Sequence, residues 1–162
     1  MKTFHTLLLK VLTALLLASC AGYAPHEQLA GQDRTALIAA LGQPERETMT
    51  ANGKKLHFVR GPGGWDTYFV YLDNADRVVR WEQVLTEERF DTIRAGMTQE
   101  QVIDEIGVSR ITNGLGRNRG YVWHYRYKTT QCRSFVIEFT PEGVVRSAGY
   151  LFRARQCRYV GR

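Results

Sequence analysis

A twelve-residue segment that occurs twice constrains this chain more than anything else in it. Gly31-Gln32-Asp33-Arg34-Thr35-Ala36-Leu37-Ile38-Ala39-Ala40-Leu41-Gly42 is echoed by Gly96-Met97-Thr98-Gln99-Glu100-Gln101-Val102-Ile103-Asp104-Glu105-Ile106-Gly107, 65 residues further on. Each copy opens on a glycine, offers an N-cap oxygen (Asp33, Thr98) and sets apolar residues at helical spacing (Leu37, Ile38, Leu41; Val102, Ile103, Ile106). Each then stops at a glycine able to take a left-handed C-cap. Thr98 followed by Gln101 adds a capping box to the second copy. Two short helices with defined ends are expected, one in each of two repeated units.

The echo continues downstream at an offset of 67. Leu56-His57-Phe58 matches Trp123-His124-Tyr125, and Tyr68-Phe69-Val70-Tyr71-Leu72 matches Phe135-Val136-Ile137-Glu138-Phe139. A turn follows each time (Asp73-Asn74-Ala75-Asp76; Thr140-Pro141-Glu142-Gly143), then Val78-Val79 or Val144-Val145 begins a further strand. Gly61-Pro62-Gly63-Gly64 reads as a wide turn between the first two strands of copy one. Each repeat is thus a helix followed by an antiparallel meander, and the helix is the element available to cover one sheet face. The expected fold is α+β, two tandem modules of short helices on antiparallel sheet, spanning residues 20–85 and 86–162. Between them, Thr86 to Arg94 reads as a helix with Thr86 as N-cap, acids in its first turn, and Phe90 and Ile93 turned inward. Without a Pro/Ser-rich tether, the modules should abut.

The first 19 residues have a different character. Val11 to Leu17 is apolar but too short to span about 30 Å of hydrocarbon as a helix, so it reads as a secretory signal. Leu17-Ala18-Ser19-Cys20 resembles the lipobox of bacterial lipoproteins, in which the cysteine is acylated before the signal is removed; the alternative is an ordinary signal peptide that ends by chance at a cysteine. Several acyl chains would hold the chain on a membrane far more firmly than one. In the lipoprotein sorting pattern, aspartate after the cysteine favours the inner membrane, and Ala21 stands there instead, so the resemblance points to the outer membrane. Export would carry Cys132 and Cys157 into an oxidising compartment, where a disulfide between them is expected, two buried thiols being the alternative. Neither has a second cysteine or a histidine at ligand spacing, so no metal is expected.

The formal charge of +6 conceals a division. From Ala21 to Ile106, 9 Lys/Arg against 14 Asp/Glu leave −5; from Gly107 to Arg162, 11 against 2 leave +9. Such a field steers a charged partner or holds the C-terminal half against anionic head groups, unless it is a solvated surface whose sign has drifted. Contact candidates are Arg117 and Arg119 in Gly114–Gly120, a loop that lacks the flanking strand and helix of a phosphate cradle, and the tail residues Arg153, Arg155 and Arg158. The compartment excludes nucleic acid and leaves anionic lipid, lipopolysaccharide phosphate or an acidic protein.

No catalytic constellation stands out. His57 and His124 hold the same repeat position and should point away from the helix-covered face, as exposed strand residues or as a paired ligand. The acids Glu87, Glu88, Asp91, Glu100, Asp104 and Glu105 fall on polar helix faces, with no two placed across a cleft for acid–base work. Trp65, Trp81, Tyr121, Trp123, Tyr125, Tyr127 and Tyr150 should divide between core and an outward sheet face.

The stretch Ile93-Arg94-Ala95-Gly96-Met97-Thr98-Gln99-Glu100-Gln101-Val102, with Ile106-Gly107, Trp123-His124-Tyr125, Phe135 to Phe139 and Gly143-Val144-Val145, is similar to the SmpA/OmlA family of BamE-type outer-membrane lipoproteins over residues 87 to 150. The family's Leu-Gly-x-Pro stands in the first copy as Leu41-Gly42-Gln43-Pro44 and in the second as Ile106-Gly107-Val108-Ser109. That resemblance implies a periplasmic module of two helices on a three-stranded sheet, in its best-known member an accessory subunit of the machine that inserts β-barrels. Two in tandem also resemble the β-lactamase-inhibitor-protein architecture, whose sheets form a concave protein-binding surface. The expected function is a non-enzymatic, cofactor-free lipoprotein facing the periplasm that binds an envelope protein in barrel assembly or envelope maintenance. The alternatives are an envelope ligand binder, of peptidoglycan or anionic lipid, or an inhibitor of a periplasmic enzyme.

Overall fold

The computed structural model describes residues 24–152 except Asn118. The signal segment, Cys20, Arg153, Arg155, Cys157 and Arg158 lie outside the described residues. After a single 3-10 turn at Glu27–Leu29 come α1 (Arg34–Leu41), β1 (Arg46–Thr50), β2 (Gly53–Arg60), β3 (Asp66–Leu72) and β4 (Val78–Gln83). A one-turn α2 (Glu87–Phe90) leads to α3 (Gln99–Ile106), β5 (Ile111–Gly114), β6 (Tyr121–Tyr125), β7 (Arg133–Phe139) and β8 (Val145–Phe152). The strands make two antiparallel four-stranded sheets, in the orders β1-β2-β3-β4 and β5-β6-β7-β8. The fold is therefore α+β with two sheet modules.

The two copies agree down to individual backbone bonds. Gly31 N–H donates to Val78 O (2.8 Å) and Val78 N–H to Gln32 O (2.9 Å); in the second copy Gly96 N–H donates to Val145 O (2.9 Å) and Val145 N–H to Met97 O (2.8 Å). In both sheets the pairing of the third strand with the last shifts register, between Tyr71 and Leu72 and between Glu138 and Phe139. Gly53 and Gly120 hold φ of 137° and 106° at matching sites, where a Cβ would lie 2.0 Å from Leu72 O and 1.9 Å from Phe139 O. Only glycine fits so close an approach. Val78 therefore aligns with Val145, one residue later than the Val-Val pairs of the sequence suggest.

Both helix starts are capped as expected. Asp33 accepts from Ala36 N–H, and Thr98 forms the full capping box with Gln101. Leu37 and Leu41 share a buried cluster with Leu56, Phe58, Val70 and Leu72. A larger one joins Val102 and Ile106 to Trp123, Tyr125, Phe135, Ile137 and Phe139. Tyr68, which alternates with Val70 and Leu72 on β3, is half-buried and outside that cluster.

Several expectations need correction. Each sheet has a strand that hydrophobic alternation does not reveal, β1 and β5, because Arg46–Thr50 and Ile111–Gly114 are polar edge strands. The glycine-rich turn at residues 61–64, a 3-10 turn at Pro62–Gly64, consequently lies between the second and third strands of its sheet. The helix expected from Thr86 to Arg94 is one turn long; Phe90 and Ile93 are buried all the same.

Candidate functional site

The two copies meet through side chains of alternate strand residues. On β2 and β3, Leu56, Phe58 and Val70 face one way into the smaller cluster, so Lys55, His57 and Phe69 face the other. That second face meets α3. Lys55 Nζ donates to Asp104 O (3.1 Å), and Arg46 pairs with Glu100 at 2.5 Å. Phe69 belongs to the same cluster as Ile103, and a Cβ on Gly107 would lie 3.0 Å from Thr67 Cγ2. His57, Ile103, Val108, Glu45 and Arg46 line a cavity of about 220 Å³ at this seam. Arg110 pairs with Glu45, and Lys128 with Asp66 at 2.8 Å. Part of the charge division is thereby spent inside the molecule, since basic residues of the second half neutralise acids of the first.

His57 departs from its expectation. It points away from Leu56 and Phe58 as the alternation requires, yet it is 1 % exposed, its ring centroid 4.1 Å from that of Phe69. The physical reason is the seam itself: the second sheet face is covered by residues 103–108. Neither ring nitrogen has a hydrogen-bond partner. Burial, aided by the positive charge of Lys55, lowers the imidazole from its ordinary 6.5 to about 4. His124, its repeat counterpart, is half-buried. The two histidines sit on different sheets.

Arg117 and Arg119 are exposed. Arg117 holds a positive φ of 47°, while Arg119 folds back on its own loop, Nη2 donating to Leu115 O at 2.9 Å. Cys132 is a disulfide cysteine at the end of the β6–β7 loop, and Cys157, the partner expected from the sequence, lies outside the described residues. Among the described residues no three His, Cys, Asp or Glu converge as a metal site would need, and no helix is long and apolar enough to cross a membrane.

An unforeseen cluster lies around α2. Arg133 pairs with Glu87 at 2.5 Å, Tyr127 donates to Glu87 Oε1 at 2.9 Å, and Arg133 Nε donates to Tyr127 Oη at 2.9 Å. The Arg133 bond, then that of Tyr127, holds the Glu87 carboxyl below its usual range. The Arg133 guanidinium lies 4.2 Å from the Tyr150 ring centre, and Tyr150 donates to Asp91. Burial, followed by the Asp91 bond, pushes the Tyr150 phenol up to about 12. Beside this network Leu85, Thr86, Tyr127, Lys128 and Gln131 line an open cleft of about 620 Å³. The sequence carried no signal for it, because Glu87 and Arg133 come together only when β7 pairs between β6 and β8.

The strand next to it is the most exposed apolar element of the described residues. On β8, Tyr150, Leu151 and Phe152 are 36 %, 41 % and 71 % exposed, at the edge of the second sheet.

No protein-family model matches the chain, and no curated protein does. Solved structures with partial similarity include the following two. An extracellular protein containing an SCP domain from Bacillus anthracis str. Ames matches with a TM-score of 0.31 and 15 % identity, over 81 % of this chain. The chain spans 46 % of that protein's length. A DUF4309 family protein from Bacillus subtilis subsp. subtilis str. 168 matches with a TM-score of 0.29 and 14 % identity, over 82 % of this chain and 88 % of its own. Neither likeness reaches the level at which a shared fold could be argued.

Proposed function

We propose that this chain is a non-enzymatic lipoprotein of the SmpA/OmlA, BamE-like kind, lipid-anchored at Cys20 to the outer membrane and facing the periplasm. Its modules, residues 20–85 and 86–162, each use a helix to cover one sheet face, and the second module binds another envelope protein in barrel assembly or envelope maintenance. The observation that carries this reading is the end of β8. An edge strand with Tyr150, Leu151 and Phe152 exposed offers unpaired backbone groups and aromatic anchors together, the combination that strand addition uses. Tyr and Arg are also enriched at protein interfaces, and Arg133 already lies against Tyr150. The +9 half that carries the strand suits an acidic partner.

A photo-activatable residue in place of Phe152, in the full-length chain in cells, tests this directly. Cross-links to barrel-assembly subunits support the reading, and recovery of peptidoglycan or lipid alone overturns it. A ligand-binding role is favoured by one observation, the exposure of Arg117 and Arg119 on a glycine-rich loop; loss of vesicle or cell-wall binding on replacing both would support it. Replacing Cys20 with Ala should release the chain from the membrane fraction or leave it unprocessed, and normal processing with membrane retention would overturn the lipoprotein reading.

A further inference from the structure

The seam inside the chain has a second, open version at its two ends. Moving α3 back by the repeat offset of 65 lands on α1, and moving the seam face of the first sheet forward by 67, or 65 for β1, lands on the outer face of the second. Asp104, Glu100 and Ile103 become Ala39, Thr35 and Ile38, while Lys55, Arg46 and Phe69 become Val122, Ile111 and Val136. The contact Lys55–Asp104 therefore corresponds to Val122 and Ala39, and Arg46–Glu100 corresponds to Ile111 and Thr35. At both positions the charge has gone from the two sides together. Independent drift would have left a lone cation or a lone acid on one surface; matched loss leaves two surfaces that fit each other.

Each surface is open among the described residues except at one margin, where the Ile111 side chain lies beside Gly63. Leu37 and Leu41 of α1 enter their own core, whereas Ile38 is half-exposed and Thr35 and Ala39 are exposed. From Ala36 to Leu41 the helix is apolar all round, a composition typical of a helix buried on every side. Ile111, Val122 and Val136 are half-exposed on the sheet, and Glu138 on the same face is neutralised by Arg146. At longer range the half that bears α1 carries −5 and the half that bears the second sheet +9, so two copies attract when these ends meet.

We propose that α1 of one copy docks on the outer face of the β5–β8 sheet of another, repeating between chains the contact that α3 makes with the first sheet inside the chain. The partner is a second copy, and the interface is head-to-tail. Because the joined surfaces differ, association that repeats the internal contact closes into a ring or continues as a short open stack. This proposal uses a different surface from the exposed end of β8, so either can fail while the other stands.

Cysteine cross-linking of the full-length chain in cells tests it. Ala39→Cys and Val122→Cys in one chain should give, on oxidation, a ladder of dimers and higher species on a non-reducing gel. Either substitution alone should give none above the background of the unsubstituted chain, because in a head-to-tail contact Ala39 meets Val122 and not its own equivalent. Ile38→Glu or Val136→Glu added to the double-cysteine chain should abolish the ladder. Folding is checked in the same experiment by Lys55→Cys with Asp104→Cys, which should close within one chain, with or without Ile38→Glu. Closure of that internal pair without an intermolecular ladder overturns the proposal. So does dimerisation through either single cysteine, survival of the ladder in Ile38→Glu, or capture of a different protein in place of a second copy.

Discussion

The two copies share a backbone and differ in what lies against their sheets. In the first, both faces of the central strands are occupied: Leu56 and Val70 on one side, His57 and Phe69 on the other, the latter against α3. In the second, the corresponding outer face carries Val122, His124 and Val136, all half-exposed. One repeat position thus holds a histidine buried without a partner in one sheet and a half-buried histidine in the other. The repeat dictates turns, bulges and glycines, while the place of each copy in the stack decides which side chains are buried. The helices differ accordingly. α3 lies between two sheets yet keeps Glu100 and Asp104 for Arg46 and Lys55, whereas α1 is almost wholly apolar with one side exposed.

The comparison is broken most forcefully at Phe90. This ring stacks on Phe135 at 4.4 Å and meets Tyr127 edge-on at 5.0 Å, and the matching place ahead of α1 is Pro25, so only the second copy has such a keystone. Phe90→Ala should cost about 3–5 kcal/mol, the range for deleting a buried aromatic. Denaturant unfolding measures it, and a loss below about 1 kcal/mol would show that the core of the second copy does not depend on α2.

Leu41→Ala and Ile106→Ala test the equivalence of the copies themselves. Both side chains are buried at the same helical position, and each truncation should cost about 2–5 kcal/mol. Should Leu41→Ala prove nearly neutral while Ile106→Ala is severe, the first copy would not be an independent packed unit. On the helix surface Glu105→Ala should stay within about 0.5 kcal/mol. Ala40 is packed against the smaller cluster, so Ala40→Ser should not be neutral.

What the sequence revealed and what it hid divide along physical lines. Leu37, Leu41, Val102 and Ile106 were legible because helical spacing and caps are local signals. Phe135, Ile137 and Phe139 were legible because a strand with one apolar face alternates. β1 and β5 were hidden because edge strands such as Arg46-Glu47-Thr48-Met49-Thr50 have little apolar surface to pattern. The burial of His57 was hidden because it depends on a helix 46 residues away in sequence. The Glu87–Tyr127–Arg133 network and the open face of the second sheet arise from tertiary placement alone. Alternation marks which residues share a face, but not whether anything covers it.

His57 allows a pH test of the seam. Its folded pKa of about 4 lies below the ordinary 6.5, so the imidazole is neutral when folded, and the unfolded chain binds its proton first. The stability due to this residue is fully present above pH 6.5 and is lost as pH falls towards 4. The charged groups around it act in both directions, Lys55 and Arg46 opposing protonation and Asp104 favouring it. By pH 5 the loss should be about 2 kcal/mol. Unfolding midpoints of the native chain and His57→Phe at pH 7 and pH 5 give the comparison. The variant should lose less on acidification, and equal losses would mean that the buried histidine does not control the acid response.

The smallest expected effect separates the two helix caps. In the second copy Thr98 accepts from Gln101 N–H (3.2 Å) and Gln101 Oε1 accepts from Thr98 N–H (2.8 Å), so two backbone donors are satisfied reciprocally. In the first copy Asp33 accepts from Ala36 N–H at 2.9 Å, and Ala36, at the place of Gln101, has no side-chain acceptor to return. Gln101→Ala thus converts the cap of the second copy into that of the first. Gln101 is exposed, so no packing is lost with it, and the cost should be about 0.5 kcal/mol, less than the roughly 1 kcal/mol expected for Thr98→Ala or Asp33→Ala. Asp33 has a compensation that Thr98 lacks, because its carboxylate also faces the positive end of the helix dipole. Raising the salt concentration should therefore weaken the Asp33 contribution and leave that of Thr98 unchanged. A matching salt dependence at both caps would mean that the charge of Asp33 adds nothing to its hydrogen bond.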